Sequence, residues 1–289
     1  MLERLIAETF PHIKINKFRL LGQGKAATIC LANDEIVFKV PLAAGGEIGQ
    51  WQKNEAEVLK FLEGKLDIEI PKVLCTATSE CGLFIIGETF LSGTSFSYEL
   101  CDTYDEETKR DIQRQLGRIV RNLHNTGGKD ASWQSDNNAT SHETYDTILC
   151  EFYERLTPEV RGVFSPSEVA SIENIATRYE QLSKQHPATP VLCHHDLHYC
   201  NLMFNEKARQ ITGLLDFGCA GYSEPARDWH YYFNAKFVLE GYGDTDDQFF
   251  LDRHRFHALS WLLNNLGEEI ADGRELWSRV WIRDHAINN

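Results

Sequence analysis

The hydrophobic pattern of this chain changes once along its length, and that change restricts the folds open to it. In the first part, short apolar runs alternate with polar residues, and in residues 36–40 this alternation puts Ile36, Phe38 and Val40 on one face. Later the apolar residues recur every three or four positions, as they do over residues 112–123. The pattern therefore predicts a strand-rich part followed by a helix-rich part, which is an α+β fold.

We place the change of pattern at residue 90. Residues 1–90 are predicted to form a small β-rich lobe and residues 91–289 a larger helical lobe, with a hinge within residues 87–93. Helices are predicted over residues 51–63 and from Ser165 onward, where a serine cap and a glutamate three residues later form a capping box. Further strands are predicted at residues 71–74, 83–86, 190–193, 202–204 and 211–215, and a loop is predicted over residues 129–140.

The charge balance and the cysteine pattern exclude several classes of protein. Lys and Arg number 29 against 43 Asp and Glu, a net charge of −14, which argues against binding to nucleic acid or to an anionic membrane. No apolar run reaches the roughly 18 residues that a membrane span needs. None of the eight cysteines forms a Cys-x-x-Cys pair, and a chain of this size needs no disulfides. We therefore expect a cytoplasmic protein with reduced thiols, and a monomer, because no interface stripe is evident.

The densest group of reactive side chains is His-His-Asp-Leu-His-Tyr-Cys-Asn, at residues 194–201. It contains Asp196 and Asn201, and Asp216 follows in the triplet Asp-Phe-Gly behind a predicted strand. A carboxylate can orient an attacking hydroxyl and accept its proton, and carboxylate and amide oxygens suit the Mg²⁺ that clamps nucleotide phosphates. The order and spacing resemble the catalytic and metal loops of kinases, with Asp196 as the base and Asn201 and Asp216 as the metal ligands.

The small lobe contains a second part of the same pattern. Lys39 lies in the middle of a predicted strand, and Glu55 lies on the apolar stripe of the following helix, where an unpaired charge would be costly. This arrangement matches the lysine–glutamate pair that positions nucleotide phosphates in kinases. Gly22 and Gly24 lie in a turn whose backbone amides could fold over the phosphates, and the same residues also fit a plain hairpin turn.

Taken together, these residues resemble the aminoglycoside phosphotransferase and choline kinase-like family, and most of all its aminoglycoside 2''-phosphotransferases. The resemblance extends from about Leu20 to Trp229. It is carried by Phe38-Lys39-Val40-Pro41, Asn54-Glu55, His194-x-Asp196-Leu197-His198-x-x-Asn201, Asp216-Phe217-Gly218 and Glu224-Pro225-x-x-Asp228. It implies a bilobal protein-kinase-like fold, ATP or GTP as phosphate donor, Mg²⁺ as cofactor and a hydroxylated small molecule as acceptor.

The resemblance also assigns secondary roles and exposes two departures. Asp228 is implied to anchor the catalytic loop from the following helix, and Glu88, in the predicted hinge, joins the residues expected to bind the nucleotide. Small-molecule kinases of the family have glycine between the histidine and the aspartate of the catalytic loop, where this chain has His195. Family members usually have aspartate where this chain has Glu224. Neither change removes a group that the chemistry requires.

The acidic balance favours a cationic acceptor, and a polycationic aminoglycoside is the predicted one. The carboxylates that could line its cleft form two clusters: Glu99, Asp102, Asp105, Glu106 and Glu107, and then Asp244, Asp246, Asp247, Glu268, Glu269, Asp272 and Glu275. Most of these are expected to be solvated helix faces and helix starts. The aromatic residues that could stack on a sugar or a choline head are Trp229, Tyr231, Tyr232, Trp261 and Trp277, although most are expected to belong to the core.

Three other functions also fit parts of the sequence. The chain could phosphorylate another alcohol, such as choline, a macrolide, homoserine or a sugar. It could be a pseudokinase that binds nucleotide, although the base and metal residues are all present. The residues Cys193, His194, His195, His198 and Cys200 could also ligate zinc, but they crowd into one loop without a second pair, and zinc leaves Asp196 and Asn201 unexplained.

Overall fold

The strands of residues 1–90 pair into one antiparallel sheet. A computed structural model describes residues 1–127, 145–229 and 233–287, apart from the side chains of residues 285 and 286. The strands are β1 (Phe18–Gln23), β2 (Ala27–Ala32), β3 (Ile36–Pro41), β4 (Val73–Thr78) and β5 (Phe84–Thr89). They lie in the order β1-β2-β3-β5-β4, so β3 is the central strand of the sheet.

Two helices cover the two faces of this sheet. Helix α1 (Leu2–Thr9) buries Ile6 against Phe38 and Val40 of β3. Because successive side chains of a strand point to opposite faces, Lys39 points away from α1. Its ammonium group meets the helix on the other face, α2 (Gly46–Leu62). The alternation read from the sequence thus places a lysine between a central strand and a packed helix.

The rest of the chain is mainly helical, as the change of pattern predicts. Its helices are α3 (Tyr98–Asp102), α4 (Glu106–His124), α5 (Tyr145–Arg155), α6 (Pro158–Gly162), α7 (Pro166–Gln185), α8 (Ala235–Tyr242), α9 (Phe250–Ala271) and α10 (Trp277–Trp281). Its short strands are β6 (Thr94–Ser95), β7 (Val191–Cys193), β8 (Leu202–Asn205), β9 (Gln210–Leu214) and β10 (Gly221–Ser223). Strand β8 pairs with β6 and β9, and β7 pairs with β10. The loops after β7 and β9 carry Asp196 and Asp216.

One hydrophobic core joins the two parts of the molecule. It is centred on α4 and the small sheets, and it also includes Val58, Leu59 and Leu62 from α2. A second core fills the space between α5, α7 and α9. Helix α2 therefore packs on the five-stranded sheet and on the helical part at once, so residues of α2 can bridge the two.

Some predicted boundaries differ from the structure. Helix α2 begins at Gly46, before the predicted start at residue 51, because the glycines in its first turns are poor helix formers and weaken the pattern. Strand β5 continues to Thr89, so Gly87 is not part of a hinge. An added Cβ at Gly87 would lie 2.5 Å from the sulfur of Cys75, and the glycine therefore makes room for β4. The capping box at Ser165 is present as predicted. The loop predicted over residues 129–140 lies outside the described residues.

Two remaining observations concern cysteines and membranes. All eight cysteines are free thiols, and Cys30, Cys101 and Cys193 are buried. Within the described ranges, no helix combines the length and the apolar character that a membrane crossing requires.

Helices α4 and α8 touch through their backbones at two glycines. An added Cβ at Gly117 would lie 2.0 Å from the carbonyl oxygen of Val238, and one at Gly241 would lie 1.9 Å from the carbonyl oxygen of Arg114. Real Cβ atoms do not approach a backbone oxygen so closely, so only glycine fits at these two positions. This contact holds α4, and with it His124 at the end of the helix, in place behind the candidate site.

Gly241→Ala is expected to lower the free energy of unfolding by about 2 kcal/mol or more, because a side chain forced into a tight contact costs about 1–3 kcal/mol or more. Gly49→Ala in α2 is the matched control, since an added Cβ there meets nothing within 4 Å. That change is expected to raise stability by about 0.5–1 kcal/mol through the better helix propensity of alanine. Urea unfolding of both variants measures the two effects, and equal changes would contradict the close helix contact.

Candidate active site

A buried ion pair joins the central strand to helix α2. The Nζ atom of Lys39 lies 2.5 Å from Oε1 of Glu55, and both side chains are buried. Glu88 of β5 and Asp216 lie nearby, with carboxylate oxygens 3.8 and 3.7 Å from the same Nζ atom. The structure therefore brings four of the predicted site residues together, with three carboxyl groups around the ammonium group of Lys39. Glu88 reaches this group from inside a strand, rather than from the hinge where it was expected.

The charges of this group shift one another's pKa values. Burial lowers the pKa of Lys39, but the carboxylates of Glu55, Glu88 and Asp216 outweigh burial and raise that pKa above its ordinary value. Burial raises the pKa of Glu55, and Lys39 opposes it. Burial also raises the pKa of Glu88 to about 8, against the opposing effect of Lys39. Lysine 39 is therefore charged at neutral pH, and the buried acids around it exceed it in number.

Helix α2 also holds the segment that contains Asp216. The backbone N–H of Phe217 donates to Oε1 of Glu55 at 3.2 Å. The side-chain amide of Asn54 donates to the carbonyl oxygens of Gly218 and Ala220 at 2.9 and 2.8 Å. The motif Asn54-Glu55 includes this residue but does not by itself indicate its role. The position of Asn54 beside Glu55 on the buried face of α2 is the sequence feature that could have indicated this role.

Asp216 has an unusual backbone and an accessible side chain. Its φ angle is 65°, which lies in the left-handed region that non-glycine residues rarely adopt. Its side chain is 52% exposed, the only open member of the group around Lys39. Such strained residues cluster at functional sites. One carboxylate oxygen faces Lys39, and because the side chain is half exposed a metal ion could still reach the carboxylate.

The loop after β7 is anchored by Asp228. One carboxylate oxygen of Asp228 accepts the backbone N–H groups of His194 and His195 at 2.7 and 2.8 Å. The other oxygen lies 2.9 Å from Nε2 of His124, whose other ring nitrogen lies 2.9 Å from the hydroxyl of Tyr242. The anchoring role implied for Asp228 thus has a structural basis. Asp228 ends a 3-10 turn, Pro225–Arg227, rather than lying in a helix.

His194 connects the two loops of the site. Its Nε2 atom lies 2.9 Å from the carbonyl oxygen of Leu215, directly before Asp216. Its Nδ1 atom accepts the backbone N–H of Asp196 at 3.3 Å. The ring also packs on Phe217 with a centroid distance of 4.7 Å. This histidine holds the loop of Asp196 beside the segment of Asp216 without facing any reactant.

Asp196 and Asn201 lie together in the anchored loop. The amide nitrogen of Asn201 donates to the backbone oxygen of Asp196 at 2.8 Å and to its carboxylate at 3.0 Å. These contacts use the nitrogen of the amide, which leaves the amide oxygen as the ligand end of Asn201. Nε2 of His198 lies 3.6 Å from the same carboxylate. The donor set of Asn201 and Asp216, an amide oxygen and a carboxylate, fits Mg²⁺.

The glycines of the predicted phosphate loop lie at a hairpin end. Gly22 lies in β1, and the N–H of Gly24 donates to the carbonyl oxygen of Ala27 at 2.8 Å. The tip of this hairpin reaches the helical part of the molecule, where Nζ of Lys25 lies 3.4 Å from a carboxylate oxygen of Glu268 in α9. The hairpin therefore spans the cleft, and a role of Gly22 and Gly24 in phosphate binding stays a prediction.

The residues suggested for zinc do not converge. His194 and His195 are held by Asp228, and Cys193 instead lies with His124 and Asp228 in one buried group. Among the described residues, this is the single group of three such side chains that are close enough to share a metal ion. Its carboxylate already accepts two backbone N–H groups, and the Cys193 thiol donates to backbone oxygens. The group is therefore explained as loop support.

Glu224, the second departure from the family pattern, is buried among polar side chains. Its carboxylate lies 2.5 Å from Nε2 of His257 and 3.1 Å from Nη1 of the buried Arg253, and it accepts the hydroxyl of Tyr179. Burial raises the pKa of Glu224, but these partners outweigh burial and lower it. The longer side chain thus ties the turn before Asp228 to α7 and α9.

Most acids of the two predicted clusters have structural partners. Asp105 caps α4 by accepting the N–H of Thr108, and Asp247 pairs with Arg253 at 2.7 Å. Glu269 is buried and accepts the hydroxyl of Ser278. Trp229 belongs to the core, Trp277 is exposed, and Tyr231 and Tyr232 lie outside the described residues.

A groove between α5, α6 and α9 contains acids that sequence reasoning missed. It has a volume of about 670 Å³. Its carboxylates are those of Glu151, Glu154, Glu159 and Glu268. Only Glu268 was among the acids named from the sequence, since the others become neighbours of α9 only through the fold. Val160, Leu263 and Ile270 add apolar surface to the groove.

The model of the phosphotransferase enzyme family matches residues 36–260, from the central strand of the sheet to the middle of α9. The chain belongs to this phosphotransferase family. The family predicted from the motifs is confirmed, and the match includes Lys39, Asp196, Asn201 and Asp216.

Solved structures of similar fold confirm the bilobal kinase-like architecture of this phosphotransferase. The GDP and kanamycin complex of APH(2")-IIIa aligns with a TM-score of 0.78 at 20% identity, over 98% of this chain and 96% of that chain. The gentamicin complex of APH(2")-IIa aligns with a TM-score of 0.67 at 22% identity, over 96% of this chain and 91% of that chain. Macrolide 2'-phosphotransferase MphH from Brachybacterium faecium aligns with a TM-score of 0.67 at 16% identity, over 100% of this chain and 98% of that chain.

The raised pKa of Glu88 predicts a pH dependence of stability. In the folded chain Glu88 keeps its proton up to about pH 8, whereas in the unfolded chain it loses the proton near its ordinary value of 4.5. Its contribution to stability is therefore full below about pH 4.5 and is lost as the pH rises to about 8. Glu88→Gln is expected to match the wild type at pH 5 and to exceed its stability at pH 8.5 by one to a few kcal/mol, since one pKa unit is about 1.36 kcal/mol.

Urea unfolding at the two pH values measures this difference. Glu80→Gln, at an exposed carboxylate of the same lobe, controls for the loss of one acid. A Glu88→Gln variant that differs from the wild type by the same free energy at both pH values would show that Glu88 does not bind the extra proton.

Proposed function

We propose that this phosphotransferase transfers the γ-phosphate of ATP or GTP to a hydroxyl of an aminoglycoside antibiotic. The observation that carries the proposal is a chain of contacts. Asn201 bonds to Asp196 and accepts the backbone N–H of Leu215 at 2.9 Å, and the next residue, Asp216, lies beside the Lys39–Glu55 pair. Residues 1–90 form the nucleotide-binding lobe in this proposal, and residues 91–289 form the catalytic and acceptor-binding lobe. The enzyme would confer resistance on its host and act as a monomer in the cytoplasm.

On the donor side, each predicted residue has a stated task. Lys39, held by Glu55, binds phosphate oxygens, and Gly22 and Gly24 place backbone amides over them. Asn201 and Asp216 would hold Mg²⁺, because the amide oxygen and the exposed carboxylate are hard oxygen ligands. The ion, when bound, neutralises charge on the phosphates. Glu88, with a carboxyl oxygen 3.8 Å from Nζ of Lys39, helps to position that ammonium group for the nucleotide.

Asp196 acts on the acceptor. Its carboxylate orients the attacking hydroxyl and takes the hydroxyl proton as the oxygen bonds to the γ-phosphorus. The bond from that phosphorus to the bridging oxygen breaks, and the nucleoside diphosphate leaves with the electron pair. The amide of Asn201 fixes the orientation of the carboxylate by its hydrogen bond at 3.0 Å.

The acidic groove supports a cationic acceptor. Its volume of about 670 Å³ falls in the usual range for small-molecule sites. Glu151 and Arg155 line both this groove and a smaller cavity that is also lined by His195, the residue before Asp196. Aminoglycosides carry several ammonium groups, and carboxylates on both sides of a groove complement them. Kanamycin and gentamicin occupy complexes of enzymes with this fold.

A macrolide is the second candidate acceptor. The apolar residues Val160, Leu263 and Ile270 in the groove suit a less charged molecule with hydrophobic surface. A macrolide 2'-phosphotransferase also shares the fold. Nucleotide consumption with kanamycin, gentamicin, erythromycin, choline and homoserine, each with ATP and with GTP, separates these acceptors. Stimulation by a neutral alcohol or a macrolide and by no aminoglycoside would overturn the aminoglycoside assignment.

Asp196→Asn is expected to lower kcat by about 10²–10⁴ and to leave nucleotide affinity within a factor of about two, because a positioned base contributes about that much to the rate. Asp102→Asn, at an exposed carboxylate of the same lobe, is the matched control. Steady-state kinetics and nucleotide titration measure the two effects. Near wild-type turnover by Asp196→Asn would exclude Asp196 as the base.

Glu154→Gln combined with Glu268→Gln is expected to raise the KM for kanamycin about 3- to 30-fold at low salt, because exposed ion pairs contribute about 0–1 kcal/mol each. The KM of the wild type is expected to rise with salt, since the Debye length falls from about 10 Å at 0.1 M to about 3 Å at 1 M. The double variant is expected to respond less to salt. Glu240→Gln, outside the groove and paired with Arg114, is the control. A KM that is independent of salt in the wild type would contradict a charged groove.

A further inference from the structure

Asn54 is a buried residue of α2 whose side chain bonds to the segment directly after Asp216. Its Nδ2 atom donates to the carbonyl oxygen of Gly218 at 2.9 Å and to that of Ala220 at 2.8 Å. Gly218 and Ala220 are buried, whereas Cys219 between them is exposed. Buried carbonyl groups need donors, and one side chain supplies a donor to both.

The surroundings fix the orientation of the Asn54 amide and show what it serves. If the amide were turned over, its oxygen would face two carbonyl oxygens and could not bond to them. In the observed orientation, Oδ1 of Asn54 is buried and makes no hydrogen bond to any described residue. A buried acceptor without a partner is costly, and an apolar residue at this position would avoid that cost. The amide therefore serves the segment after Asp216 rather than the packing of α2.

This segment needs support because the backbone of Asp216 is strained. Its φ angle of 65° is disfavoured for a residue with a side chain, and such a conformation persists only where the surrounding structure holds it. The residues that follow lie against α2, where an added Cβ at Gly218 would be 3.4 Å from Cβ of Trp51. The two hydrogen bonds from Asn54 hold them there.

Asn54 and Glu55 are adjacent in sequence but act on different parts of the site. Glu55 contacts Lys39 as well as the N–H of Phe217, so its loss would disturb the phosphate side and the metal side together. Among the described residues, the side chain of Asn54 donates only to the segment after Asp216. A change at Asn54 therefore separates metal binding from phosphate binding by Lys39.

We propose that Asn54 is a positioning residue that keeps Asp216 in the conformation that binds the metal ion. The inference rests on the proposed function, because it takes Asp216 to be a ligand of Mg²⁺. Without Asn54 the segment would populate relaxed conformations, and the apparent metal affinity would fall in proportion to the fraction of chains that stay competent. Lys39 and Glu55 would keep their contact, so the nucleotide would still bind in the absence of metal.

The test uses Mn²⁺, which suits the same oxygen ligands as Mg²⁺ and whose free ion is measured by electron paramagnetic resonance. In the presence of ADP or GDP, Asn54→Ala is expected to bind Mn²⁺ about 5- to 50-fold more weakly than the wild type, the effect of losing one or two buried hydrogen bonds. Its nucleotide affinity in EDTA, measured by calorimetry, is expected to equal that of the wild type. Gln52→Ala removes another buried amide from α2 and is the matched control, expected to leave both affinities unchanged.

A second variant separates the loss of the donor from the loss of volume. Asn54→Asp keeps the shape of the side chain but replaces the donating nitrogen by an oxygen. It is expected to weaken Mn²⁺ binding at least as much as Asn54→Ala does. Wild-type Mn²⁺ affinity in either variant, or an equal loss in Gln52→Ala, would overturn the inference.

A further measurement needs neither nucleotide nor metal. Hydrogen exchange of the Phe217 amide in the ligand-free chain is expected to be faster in Asn54→Ala than in the wild type and unchanged in Gln52→Ala. An unchanged exchange rate in Asn54→Ala would also overturn the inference. A wild type that binds no Mn²⁺ with either nucleotide would instead refute Asp216 as a metal ligand, so the metal part of the proposed function would fail first and the inference with it.

Discussion

The carboxylate of Glu55 is the interaction on which the rest of the site depends. It is buried, and such a group is costly unless its oxygens are paired. Lys39 of the sheet meets it at 2.5 Å, and the N–H of Phe217 from the helical lobe meets the same oxygen at 3.2 Å. One side chain of α2 therefore sets the distance between the strand that carries Lys39 and the segment that carries Asp216. Removing its charge would loosen both at once.

A second buried carboxylate, that of Asp228, holds the loop on the other side of the cleft. Asp228 accepts two backbone N–H groups of the loop that contains Asp196, and His194 joins that loop to the carbonyl oxygen before Asp216. The two anchors, Glu55 and Asp228, are thus connected through His194 and the chain segment that follows β9. Asp196 and Asp216 are the more exposed acids of the site. Their backbone segments are held by buried side chains, Glu55 for the segment of Asp216 and Asp228 with His194 for the loop of Asp196.

How much of this could be predicted from the sequence depends on how local each signal is. The strand period predicts the sheet face on which Lys39 lies, and the helix period predicts the burial of Glu55. The contact between these two side chains could therefore be expected from the sequence. The family motifs then placed Asp196 and Asp228 in one loop system. The acid Glu154 and the cavity beside His195 depend on how α5 packs against α9, a long-range contact with no local pattern. The first acidic cluster, residues 99–107, was a poor indicator of the acceptor site because its signal is purely local. A helix start such as that of Asp105 favours a carboxylate for capping alone.

The central claim is that the buried pair and the two loops assemble one phosphate-transfer site. A crystal structure with Mg²⁺ and a non-hydrolysable ATP or GTP analogue tests it most directly. The account predicts that Lys39, still paired with Glu55, contacts a phosphate oxygen and that Asn201 and Asp216 share a metal ion. A nucleotide bound elsewhere, or a Lys39 directed away from every phosphate, would contradict it.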